Sequence, residues 1–238
     1  MNRTFLALML ALSLLLAGCG GSSKAEVSGT ITPKPAATEA PVQTEAPATE
    51  APVTMGRLEG GTYINEYAGF SCTLDSSWTY YSAEELQEMP ANVKEILEGT
   101  ELGDTLNPLT QFTDMMAENA DLLTTMNVLY QKQSMEMRVA ASMTSEEQLV
   151  DSVLEDQDQM IAAYAQAGIQ VQSMEKVTVT FLGEQHWALK TVSTTQDVPY
   201  YILQLFDYDL GAYSVTLTLA SFVEDKTADL LPLYAPVN

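Results

Sequence analysis

The chain has 238 residues, 46% hydrophobic and 18% charged, with two cysteines, one histidine and a formal charge of −22. Its length suits one domain with extensions, and the acidity lies in that domain, since seven bases face 28 acids from Met55 onward, a net of −21. Such a surface repels nucleic acid and anionic headgroups, which bind through counterions displaced by Lys or Arg, so both partner classes are excluded; the bland role of the acidity is solubility.

Residues 1–19 read as an export signal. Arg3 supplies the positive end, and Phe5 to Leu16 form an apolar run too short for the ~20 residues that span a bilayer. Leu16-Ala17-Gly18-Cys19 resembles the lipobox of bacterial lipoproteins. The resemblance implies diacylglycerol transfer to the Cys19 thiol, cleavage before Cys19 and N-acylation. Residues 1–18 are then a signal peptide, and the expected location is the cell membrane, lipid-anchored and facing outside the cytoplasm. The lipid is the expected membrane contact, because no other run reaches spanning length.

Residues 19–56 read as a tether. Gly20-Gly21-Ser22-Ser23 leads into a segment with Thr-Glu-Ala-Pro repeated at Thr38, Thr44 and Thr49. Without aromatics this stretch cannot recover its chain entropy by burial, and its prolines favour an extended, semi-stiff spacer. The globular domain is expected over 57–238, as a monomer.

Within it, Thr62 to Tyr67 and Phe70 to Leu74 alternate around Ala68-Gly69 as a hairpin. Ser82 with Glu85 forms a capping box for a helix from Ala83 to Met89, which Pro90 ends. A turn follows from Val93 to Gly99, then a loop from Gly103 to Pro108, and Leu109 to Ala120 reads as a short helix. Thr124 to Gln131 places Met126, Val128 and Tyr130 on one strand face. A long helix is predicted from Glu146 to Ala167. Thr144 and Ser145 offer overlapping caps, Gly168 stops it, and its stripe is Leu149, Val150, Val153, Leu154, Ile161 and Tyr164.

Four strands follow as a meander: Ile169 to Leu182 with a bend near Met174, Gln185 to Thr195, Tyr200 to Tyr208, and Tyr213 to Ser221. A last helix is predicted from Glu224 to Leu231. The fold class is α+β: a single antiparallel sheet, with an N-terminal hairpin and a C-terminal four-stranded meander, packed by three to four helices.

The run Tyr63-Ile-Asn-Glu-Tyr-Ala-Gly-Phe-Ser-Cys-Thr-Leu-Asp-Ser-Ser-Trp78, together with the order of elements after it, resembles the PsbP-like fold. A proline often precedes the tryptophan in that family, whereas Asp75-Ser76-Ser77 stands here. The resemblance implies a fold and an association with protein partners, and carries no site. A cone of the nuclear-transport-factor type is the rival.

Catalytic chemistry is hard to place. His186 is the one histidine, on the strand face opposite Trp187 and Leu189, and reads as an exposed or edge residue. The acidic pairs Glu84/Glu85, Glu146/Glu147, Asp156/Asp158 and Asp207/Asp209 would suit a glycan hydrolase, but so many acids make close pairs inevitable. Asp207-Tyr-Asp209-Leu-Gly211 reads as a hairpin turn rather than a calcium loop. Met135, Met137 and Met143 are read as gap-fillers or contact surface rather than thioether ligands, and Cys72 as a small buried hydrophobe. No metal or cofactor is expected.

The least bland feature is an aromatic set, Tyr63, Tyr67, Trp78, Tyr80 and Tyr81, that suits either a ligand platform or packing at the sheet end. The function expected is a non-enzymatic binding or accessory module for a protein or small ligand. An envelope glycan hydrolase and a purely structural surface lipoprotein are the alternatives.

Overall fold

The computed structural model describes residues 54–88, 111–166, 168–207 and 211–237. The expected signal, lipobox and most of the expected tether lie outside these, as do the turn expected at 93–99, the loop expected at 103–108 and Asp209.

Short strands open the domain: β1 (Gly56–Glu59), β2 (Thr62–Asn65), β3 (Phe70–Thr73) and β4 (Thr79–Tyr80). Helix α1 covers residues 83–88, begun by the expected box in which the Ser82 amide donates to Glu85 and the Glu85 amide to Ser82 Oγ. Then come β5 (Gln111–Asn119), β6 (Thr124–Lys132), α2 (Met135–Ala141), α3 (Glu146–Glu155), α4 (Gln157–Gln166), β7 (Ile169–Phe181), β8 (Glu184–Thr195), β9 (Val198–Asp207), β10 (Tyr213–Phe222), a 3-10 turn (Ala228–Leu233) and β11 (Tyr234–Pro236).

The class is α+β and antiparallel, but with two sheets where one was expected. The first has the order β1-β2-β3-β11, and the second β4-β5-β6-β10-β9-β8-β7. The hairpin of β2 and β3 pairs with the chain's two flanks rather than with the meander. β11 then closes it through Tyr234↔Cys72. The small sheet lies on one face of the large one, where Tyr63, Phe70, Cys72 and Tyr234 pack with Met126, Val128, Leu217 and Leu219. Helices α3 and α4 cover the other face, where Val150, Val153, Met160 and Tyr164 meet Leu189, Ile202 and Phe222. Three layers result.

The expected helix at 109–120 is strand β5. Both its faces are covered, so alternation is invisible in the sequence QFTDMMAEN, and a bulge at Asp114, between Thr113↔Leu129 and Met115↔Val128, resets the period. The bulge turns Met115 and Ala117 toward the small sheet; without it both would face the helices. The extra residue is itself used. Asp114 accepts from the amides of Met55 (2.9 Å) and Gly56 (2.8 Å) and from the Tyr63 hydroxyl (2.5 Å). Asn65 joins Tyr63 to Tyr130 of β6, donating to each hydroxyl at 2.7 Å. Gly56 has to be glycine because a Cβ there would run into the Tyr63 ring.

The long helix is two, broken at Asp156, whose carbonyl accepts from the Gln159 and Met160 amides and starts α4. The buried stripe continues across the break, with Met160 added to it. Of the two caps offered, Ser145 with Gln148 is used. The Thr144 hydroxyl instead donates to the carbonyl of Ala140, at the end of α2. Gly168 takes a positive φ of 79° at the predicted stop.

The meander strands fall where expected. Leu182-Gly183 and Gln196-Asp197 are two-residue loops with positive φ at both positions, the backbone twist that tight hairpins require. The bend in β7 is a bulge between Val171 and Ser173. The expected C-terminal helix is the 3-10 turn, which contains Pro232 rather than stopping before it. Asp225 holds the stretch before it in a loop by accepting from the Thr227 amide and hydroxyl.

Burial raises the Asp114 carboxyl above its ordinary 3.8, outweighing the donors that lower it, whereas burial beside that carboxylate holds the Tyr63 phenol far above its ordinary range. Because the folded value of Asp114 is the higher one, its ionised form opposes folding at neutral pH. That cost is relieved as pH falls through the folded-state value. Asp114→Ala should lose roughly 2–4 kcal/mol in urea titrations, since three donors are left without an acceptor. Against Asp114→Asn, which does not titrate, the wild-type midpoint should rise on acidification from neutral pH toward 3.8.

Candidate functional site

The large sheet does not hold together along its whole width. Pairing between β8 and β9 runs from Thr195↔Val198 to Leu189↔Gln204 and ends. Beyond that point β8 continues with β7 to Glu184, and β9 continues with β10 to Asp207. The sheet therefore forks.

At a fork a strand exposes backbone groups that have lost their ladder partners and need others. Glu146, the first residue of α3, supplies one. Its Oε2 accepts from the Trp187 amide at 2.9 Å, and its Oε1 lies 2.9 Å from Nδ1 of His186. The cap at Ser145 places Glu146 here by starting α3 one residue earlier. His186 points toward the small sheet, with its ring edge-on to Phe181 at 5.9 Å. Trp187 packs on the helix side, with the Lys176 ammonium 4.9 Å above its ring.

A cavity of about 320 Å³ opens in the fork. Leu149 and Phe206 line it from the helix-side core, and Phe70, Phe181, Leu205 and Leu217 from the small-sheet side, so it passes between the two layers. The wall is mainly apolar. Among the described residues its polar positions are Glu146, His186, Asp207 and Thr144. A carboxylate only accepts, so the hydrogen between Glu146 and His186 belongs to Nδ1, and Nε2 of the neutral ring is an acceptor.

The sequence placed His186 opposite Trp187 and Leu189, as found, but β8 is an interior strand. The edge character of His186 comes from the fork, and its side chain is 31% exposed. The aromatic set does not form one platform. Tyr63 is in the core at 1% exposure. Tyr67 packs against Tyr130 and Tyr213, and its hydroxyl accepts from the Tyr213 amide. Trp78 and Tyr80 pack on the small-sheet side, Tyr81 on the helix side with its hydroxyl on Glu118. Leu16, Ala17, Gly18 and Cys19 lie outside the described residues.

The neighbouring acidic pairs are divided among tasks. Glu85 serves the α1 cap, Glu146 binds His186, Glu147 binds Lys176, and Asp207 lines the cavity. Met115, Met116 and Met126 fill the core, whereas Met135 and Met143 are exposed on and after α2. Cys72 is buried, which pushes its thiol up to about 12, and its Sγ lies 3.7 Å from Met126 Sδ. Among the described residues no group of three or more His, Cys, Asp or Glu side chains is placed to hold a metal. Sequence reasoning missed the pairing of Glu146 with His186. The two are 40 residues apart, and neither carries a local signal of the other.

No family model matches the chain, and no curated protein matches it in sequence. Among solved structures it is similar to cyanobacterial PsbP (CyanoP) from Synechocystis sp. PCC 6803, determined in solution. The similarity covers 78% of this chain and 95% of that one, with 8% identity and a TM-score of 0.40. The likeness brings no site residue with it.

Glu146→Ala removes the acceptor from both Trp187 and His186, and should lower stability by about 1–3 kcal/mol in urea titrations. It should also speed modification of His186 by diethyl pyrocarbonate, because Nδ1 loses its partner.

Proposed function

We propose that this chain is a lipid-anchored, extracytoplasmic binding module, without catalytic activity, that holds one small ligand in the cavity at the sheet fork. The cavity carries this reading. It is a concave, mostly apolar space with a few convergent polar groups, at the lower end of the roughly 300–1,000 Å³ usual for ligand sites. Support for the anchor is the run Leu16-Ala17-Gly18-Cys19 behind a short apolar segment. Among the described residues no helix is long and apolar enough to cross a membrane.

A binding role fits the chemistry of Glu146 better than hydrolysis does. Both its oxygens are engaged, one on a backbone amide and one on the histidine, so neither is placed to transfer a proton to a glycosidic oxygen.

Anchoring is tested by feeding cells labelled palmitate: the wild-type chain should incorporate label, and Cys19→Ala should not. Ligand binding is tested by native mass spectrometry of the protein released gently from membranes. A small molecule should travel with the wild-type chain and be lost in Ala141→Trp. Ala141 lines the cavity from α2, a helix with no buried residues, so the larger side chain fills the space without disturbing the core. An empty wild-type cavity together with activity on envelope glycans would replace this reading with a hydrolase.

A further inference from the structure

We infer that the cavity selects a ligand whose apolar body ends in a hydrogen-bond donor, an alcohol or a primary amine, and discriminates against a carboxylate. The inference rests on the cavity being a ligand site and adds the chemical class of what fills it.

The polar end of the cavity has a definite hydrogen-bonding sense. Nδ1–H of His186 donates to Glu146 Oε1, and in that neutral tautomer Nε2 is a lone-pair acceptor. Among the described residues Nε2 has no hydrogen-bond partner, although the ring is fixed from two sides, by Glu146 and by the face-to-edge contact with Phe181. A carboxylate that accepts from one ring nitrogen fixes the tautomer and ring orientation and raises the basicity of the other nitrogen, as it does behind metal-bound histidines. Nothing in the lining reverses this sense. Among the described lining residues Glu146 and Asp207 are the charged ones, both acidic, and none is Lys or Arg.

Charge decides between ligand classes. An anionic head would enter beside the Glu146 carboxylate, in a domain of net charge −21, with no Lys or Arg among the described lining residues to replace the water it sheds. An ammonium meets the opposite field, and a hydroxyl meets none but still donates to Nε2. The body of the ligand is set by Phe70, Phe181, Phe206, Leu149, Leu205 and Leu217, which offer contact area and no hydrogen bonds. A planar sugar face would leave most of its hydroxyls unpaired against such a wall, at a cost for each.

The test uses the mature-length chain carrying Cys19→Ser, so that no attached acyl chain competes for the cavity. Hexylamine, hexanol and hexanoate, matched in length, are titrated calorimetrically at mildly alkaline pH. Hexylamine and hexanol should bind, and hexanoate should bind at least about tenfold more weakly, the difference expected for one unsatisfied buried polar contact. The ring nitrogen Nε2 of labelled His186 should shift in NMR spectra when hexanol is added, a readout that needs no substitution. His186→Phe, which keeps a ring but no acceptor, should reduce hexanol binding to the level of hexanoate.

Equal binding of hexanol and hexanoate, or an unmoved Nε2, would overturn the inference while leaving the cavity a ligand site. Failure of all three probes to bind would overturn the cavity reading as well.

Discussion

The domain depends on a buried carboxylate that sits where a strand skips a residue. Asp114 is the bulged residue of β5, and its side chain anchors the chain's entry into the domain by the Met55 and Gly56 amides and the small sheet by the Tyr63 hydroxyl. Asn65 extends the connection to Tyr130. Hydrophobic contact alone would let two sheets slide over each other, because it is non-directional. A chain of directed hydrogen bonds in a low-dielectric layer defines one docking position, and its energetic penalty when broken is large. The bulge is needed twice, once to aim Asp114 and once to keep Met115 and Ala117 on the face where the small sheet rests.

That docking also builds a wall of the cavity. Phe70 belongs to the small sheet and reaches the fork only because the sheet is held in register above it, in edge contact with Phe181. The opposite wall comes from α3 through Leu149. A site made by both outer layers, with the central sheet parted between them, is more sensitive to layer position than one cut into a single layer.

Glu146 joins structure and chemistry. Its carboxylate restores the hydrogen bond that Trp187 loses at the fork, and the same group orients His186. The site is therefore a by-product of satisfying the backbone. Where a ladder ends inside a sheet, something polar has to arrive from another layer. Here the arriving group also fixes a tautomer.

Much of the fold was legible. The meander strands, the strand carrying Met126, Val128 and Tyr130, the Ser82 and Ser145 caps and the stop at Gly168 all rest on rules spanning a few residues. β5 was not legible. A strand covered on both faces shows no alternation, and the bulge at Asp114 shifts what remains. The division of the long helix at Asp156 left no mark either, since the apolar stripe runs on through it from α3 into α4. The aromatic run from Tyr63 to Tyr81 looked like a single feature because it is contiguous, yet its rings go to different layers.

Local chemistry, then, was written in the sequence: the acidity of the domain, the strand faces and the helix caps. Tertiary structure alone decided that the hairpin joins β1 and β11 in a second sheet, that β8 and β9 part beyond Leu189 and Gln204, and that Glu146 meets His186. The reason is physical. Periodicity and capping depend on neighbours a turn or a strand apart. Pairing partners, forks and buried polar contacts are chosen by competition among segments far apart in the chain, which no local window of sequence records.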